Sequence, residues 1–134
     1  MRVEIGLTTD VSLLTVFTRE VFMEPSDVIL DNLVQELKRG TLVLSVLLAT
    51  EQPVYGYALV SSLQERGVEV EQNTLYPLLR RLEKQGLLDS SWETGEARPR
   101  RYYVISPQGK SIRRKLFGEW ETMNKAIHAM EGTP

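Results

Sequence analysis

The chain of 134 residues has no cysteine, a single histidine and only 7 % aromatic residues. Without cysteine it holds no disulfide scaffold, no thiolate zinc site and no cysteine nucleophile, a composition suited to a reducing compartment, so cytoplasm is the expected location. The lone His128 has no second histidine with which to build a metal site, and no glycine-rich phosphate loop is present. Carboxylates are plentiful, but none stands in an apolar run that would raise its pKa for acid or base work. Enzymatic chemistry is therefore not expected, and neither is a metal or organic cofactor. No run of eighteen apolar residues occurs, so no segment is expected to span a membrane. Nine glycines and six prolines are too few for a collagen-like or low-complexity chain.

What the chain does contain is 42 % hydrophobic residues, enough at this length for one real core. Its net charge of −2 is unevenly spread. Residues 1–75 carry five Lys/Arg against eleven Asp/Glu, residues 76–116 ten against four, and residues 117–134 one against three. The near-neutral total thus conceals a basic block, which is either a plain solvated face or a surface for a polyanion.

Hydrophobic periodicity divides the chain into helices and one pair of strands. From Val28 to Leu48 the apolar residues keep helical spacing, with Ser26 or Asp27 as candidate cap and Gly40 as an interruption. "EQPVYGY" reads as a breaker, and Tyr57 to Arg66 as a second helix stopped by Gly67. In "NTLYPLLRRLEKQGLL" the residues Leu75, Leu78, Leu79 and Leu82 share one arc about 100° wide, while Tyr76, Pro77, Arg80, Arg81 and Lys84 fall outside it. Thr74 is the expected N-cap, which puts Pro77 in the first turn, and Gly86 is the expected C-terminal stop. "LLDSSWE" and "RRYYVIS", separated by "TGEARP", predict a hairpin with a basic tip carrying Arg98, Arg100 and Arg101. The expected fold is mainly α with a small β-hairpin. Three helices followed by a hairpin match a winged helix-turn-helix over residues 28–106, which offers its third helix to a major groove and its hairpin to phosphates of double-stranded DNA.

A last helix is predicted over residues 107–131, with Ser106 as N-cap and Pro107 at the first helical position. Its Leu116, Trp120, Met123, Ile127 and Met130 recur at four- and three-residue steps, a seam that either packs on its own domain or pairs with a second copy of the chain. A homodimer is the expectation taken from it.

The stretches "LKRGTLVLSVLL", "PVYGYALVSSL", "NTLYPLLRRLEKQGLLDSSWE" and "RPRRYYVISPQG", from Leu37 to Gly109, resemble the PadR transcriptional regulators. The single helix after the hairpin is similar to the subgroup with compact C-terminal dimerisation segments. The resemblance implies a dimeric DNA-binding repressor whose recognition helix falls on Thr74 to Lys84, with Tyr76 and Arg80 outward, and whose wing falls on Glu96 to Arg101. Where the family usually has glycine, this chain has Asn73, a residue that tolerates left-handed geometry and can cap, so the turn and a DNA contact there are expected to persist. In relatives of this kind an aromatic placed like Trp120 can line a pocket for flat hydrophobic effectors; packing of the core is the competing role.

Residues 1–27 form an N-terminal extension that the family normally lacks. Leu13, Leu14, Phe17 and Val21 have helical spacing, so the extension is either a helix added to the dimer, or else its first 22 residues are an artefact of reading the gene upstream of a start at Met23 or a lineage-specific extension. Glu4 and Asp10 argue against a signal peptide. A winged-helix domain that binds another protein is the alternative function, and salt dependence separates it from DNA binding.

Overall fold

The computed structural model describes residues 24–95 and 98–132. The expectations for residues 1–23 lie outside them. Among the described residues four helices and three strands follow in the order α1 (Pro25–Ala49), β1 (Val54–Tyr55), α2 (Gly56–Glu65), α3 (Gln72–Lys84), β2 (Leu88–Glu93), β3 (Arg100–Ile105) and α4 (Pro107–Met130). The strands form one antiparallel sheet in the order β1-β3-β2. The chain divides into two compact units at Arg39 and Gly40, and α1 contributes to both.

In the second unit the core is almost entirely leucine. Val46 and Leu47 of α1, Leu59 and Leu63 of α2, and Leu75, Leu79 and Leu82 of α3 are all buried, together with Leu88, Tyr103 and Ile105 of the hairpin. The arc of four leucines on α3 faces this core, since all four are buried. Gly67 and Gly86 end α2 and α3 in the left-handed region, with φ of 89° and 80°, where a Cβ would be strained. Thr50 ends α1 differently: its buried hydroxyl donates to the Val46 carbonyl at 2.9 Å, while its own carbonyl accepts from the Ile105 amide at 2.8 Å.

Several local expectations are corrected. Helix α1 begins at Pro25 and runs through Gly40, so Ser26 and Asp27 lie in its first turn. The segment read as a breaker contains a strand, because Val54 and Tyr55 pair with Tyr103 and Tyr102. Helix α3 begins at Gln72, with Glu71 extended before it and the amides of Thr74 and Leu75 both bonded to the Glu71 carbonyl. Thr74 is therefore not the cap, and Asn73 is helical; no described non-glycine residue has positive φ. Pro77 consequently sits in the second turn, where its missing N–H leaves the Asn73 carbonyl without its i+4 partner.

The junction into α4 forms as expected. Ser106 is the N-cap, its hydroxyl accepting from the Gly109 amide at 2.9 Å and donating to the Gly86 carbonyl at 2.6 Å. A Cβ on Gly109 would stand 2.1 Å from the Leu87 carbonyl oxygen, so α4 leaves the core through a point that admits no side chain. Beyond it the helix is mostly open: Gly109 is its one buried residue, although Ile112 and Leu116 pack at the edge of the core.

Candidate nucleic-acid interface

Because α3 buries a leucine face, its polar residues are obliged to project outward. Asn73, Thr74, Pro77, Arg80, Arg81 and Lys84 are exposed along it, whereas Tyr76 is half-buried and packs against the core. Facing α3 across an open groove of about 630 Å³ is the β2–β3 hairpin. Five of the sequence-predicted residues meet there: Tyr76 and Arg80 from α3, and Arg98, Arg100 and Arg101 from the hairpin. Asn73, Thr74, Pro77, Arg81 and Lys84 do not line the groove but stand on the exposed surface of the same helix. Positive charge on two walls, with aromatic rings between, makes a surface complementary to a polyanion that carries stacked planar groups.

Tyr57 and Trp92, which also line the groove, were missed by the sequence reading. Trp92 was legible in principle, since in the hairpin register it lies opposite Arg101. Tyr57 follows a two-residue strand whose sequence has the look of a breaker, and it stacks against Tyr55, with ring centroids 5.7 Å apart. Tyr55 in turn donates to Glu93 Oε2 at 2.6 Å and lies beneath the Arg100 guanidinium, whose Cζ is 5.5 Å from the ring centre.

Arg101 differs from its neighbours on the wing. Its Nη2 lies 2.6 Å from Glu83 Oε1, and its Nε and Nη2 donate to Ser90 Oγ at 3.1 and 3.0 Å. Ser90 Oγ itself donates to Glu83 Oε2. The guanidinium also lies 5.6 Å from the Trp92 ring centre and 5.5 Å from that of Tyr103. Burial pushes the Tyr103 phenol above its ordinary pKa; nearby Glu83 adds to the rise, while Arg101 and Arg80 oppose it.

On α4 the predicted seam is exposed along most of its length: Trp120 is 38 %, Met123 56 %, Ile127 55 % and Met130 78 % accessible, and Leu116 alone is half-buried. Phe117, 41 % accessible, was not anticipated; its ring centre lies 5.8 Å from that of Trp120. Near the start of α4, Arg113 and Lys110 hold Glu51 at 2.5 and 3.5 Å, and the Arg113 hydrogen bond is the main reason its carboxyl titrates below the usual range. Among the described residues no group of acidic, histidine or cysteine side chains is arranged to hold a metal, and no helix is long and apolar enough to cross a membrane.

Residues 43–115 match the transcriptional regulator PadR-like family. The chain is 37 % identical over 78 residues to a transcriptional regulator of Mycobacterium tuberculosis, covering 58 % of this chain and 73 % of the relative. Among solved structures it is similar to a PadR family transcriptional regulator from Eggerthella lenta, with 44 % identity and a TM-score of 0.77 over 81 % of this chain and 97 % of that one. A PadR-like transcription factor from Bacteroides fragilis is 30 % identical, with a TM-score of 0.61 over 74 % and 98 % of the two chains.

Proposed function

The chain belongs to the PadR-like family of transcriptional regulators, which are not enzymes, and from that membership we propose that it is a cytoplasmic repressor binding an inverted-repeat operator as a homodimer. The observation that carries the DNA-reading assignment is the groove in which Tyr76 and Arg80 of α3 face the arginines of the hairpin. Helix α3 enters the major groove. Arg80 and Tyr76 reach base edges, while Asn73, Thr74, Arg81 and Lys84 hold flanking phosphates and Pro77 packs against the backbone. Arg98 and Arg100 of the wing meet phosphates or the adjacent minor groove.

Dimerisation is assigned to α4, because Trp120, Met123, Ile127 and Met130 expose an apolar seam that water alone would cover at a cost. Two-fold symmetry then gives half-sites about one helical turn apart. A flat hydrophobic effector stacking on Trp120 at the dimer centre would relieve repression by altering that interface; quenching of tryptophan fluorescence together with DNA release, across a panel of planar aromatic compounds, tests this step.

The deciding experiment recovers genomic fragments bound by the purified protein and titrates the enriched sequence at several salt concentrations. Binding that weakens steeply with salt supports the reading through counterion release. Salt-insensitive binding, or none, favours the protein-binding alternative.

A further inference from the structure

The wing arginines do not have one job. Glu83 lies in the last turn of α3, Ser90 on β2 and Arg101 on β3. Their side chains close a ring of hydrogen bonds: Arg101 donates to both Glu83 and Ser90, and Ser90 donates to Glu83. The hairpin ladder has six rungs from Leu88↔Ile105 to Glu93↔Arg100, and Arg101 stands on the fifth, opposite Trp92. The ring therefore ties the far part of the hairpin, rather than its base, to the end of the reading helix. The Trp92 and Tyr103 rings lie beside the guanidinium as well, their centres 5.6 and 5.5 Å from its Cζ, and add aromatic contacts to the charge pairing. At a third exposed, with its charge matched by a carboxylate 2.6 Å away, Arg101 is poorly disposed to meet a phosphate.

Resting on the DNA-binding reading above, we propose that Glu83, Ser90 and Arg101 are positioning residues that set the angle of the wing against α3, and that Arg101 is not a phosphate contact. Arg98 and Arg100 are then carried to the phosphates by a hairpin whose tilt is fixed before DNA arrives.

The two roles for Arg101 predict opposite signs. Were Arg101 a phosphate contact, Glu83 would compete with DNA for it, and Glu83→Gln would tighten operator binding. As a strut, the same variant loosens the wing and weakens binding by about tenfold, even though a negative charge has been removed near a polyanion. Arg101→Ala should weaken binding similarly while leaving the dependence of log K on log salt unchanged, whereas Arg98→Ala should reduce that slope by about 0.9 per protomer. Arg101→Lys keeps the charge but loses the planar fork, and should fail to restore binding. Without any DNA, hydrogen exchange at β2 and β3 amides should quicken in Glu83→Gln and Arg101→Ala but not in Arg98→Ala. Tighter binding by Glu83→Gln, or a lowered salt slope in Arg101→Ala, in a parent that binds its operator, overturns the strut alone. A parent that binds no duplex overturns the DNA-reading assignment and the proposal with it. Unchanged exchange in both strut variants overturns the proposal irrespective of DNA.

Discussion

Helices α3 and α4 both repeat apolar residues at three- and four-residue steps, yet they use the pattern in opposite ways. In 13 residues α3 buries four leucines, while 24-residue α4 buries only Gly109. Periodicity reports that a face exists, not which molecule covers it. The leucines of α3 are covered by the same chain, from α1, α2 and the hairpin. Among the described residues the seam of α4 beyond Leu116 has no such cover, and its residues include the larger, less uniform Trp120 and Met123.

Truncating the covered face should have the largest effect. Leu79 is fully buried, and Leu79→Ala should cost about 2–5 kcal/mol of unfolding free energy, through lost burial and the cavity left behind. Urea denaturation would show this at every protein concentration. Met123→Asp with Ile127→Asp on the other helix should leave the domain folded and weaken the proposed dimer by at least about a hundredfold, roughly 2.7 kcal/mol. Sedimentation that still finds a dimer would assign the self-association to another surface. Below that in size comes the outward side of α3: Arg80→Ala should cost about 1–3 kcal/mol of operator binding and relax preference at one position, with stability unaltered. Fluorescence anisotropy against single-base operator variants measures both.

The smallest effect concerns how α4 is tethered at its start. Glu51 has its carboxyl pKa depressed, first by the Arg113 hydrogen bond and then by the charge of Lys110. A depressed carboxylate contributes stability that is present above its unfolded pKa of about 4.3 and lost as pH falls through the lower folded value. Glu51→Gln should therefore lower the melting temperature slightly at neutral pH and flatten the acid limb, the two proteins converging as the carboxyl of the parent is protonated. A steeper acid limb in the variant would contradict the pairing.

Most of the fold was legible because one face of each element is fully committed. The arc of Leu75, Leu78, Leu79 and Leu82, the stops at Gly67 and Gly86 and the Ser106–Pro107 start each follow from a local rule that tertiary packing did not override. Other features were hidden because they depend on partners distant in sequence. A two-residue strand at Val54 and Tyr55 carries too little periodicity to read, and exists because β3 offers it an edge. Thr74 met the requirements of a cap, yet Glu71 supplied the extended residue earlier and drew Pro77 into the second turn. In the site, outward arginines could be read from the helical angle, but the separation of Arg101 from Arg98 could not. The Glu83–Arg101 contact spans 18 residues, and charge alone does not reveal which cation is already matched.

The side-chain-free passage at Gly109 has a mechanical meaning. Held by Ser106 against the Gly86 carbonyl and pressed on the Leu87 carbonyl, the root of α4 is fastened within a few residues of where α3 ends. From that root, 24 residues extend for about 36 Å at 1.5 Å per residue. In the proposed dimer each such shaft is a crank with the reading helix clamped at one end. A tilt of about 5° between the paired shafts would move the far end by roughly 3 Å over that length, close to the rise of one base pair. Operator spacing and effector response would then be two readings of a single angle, and the bulk tolerated at residue 109 would decide how stiffly it is kept.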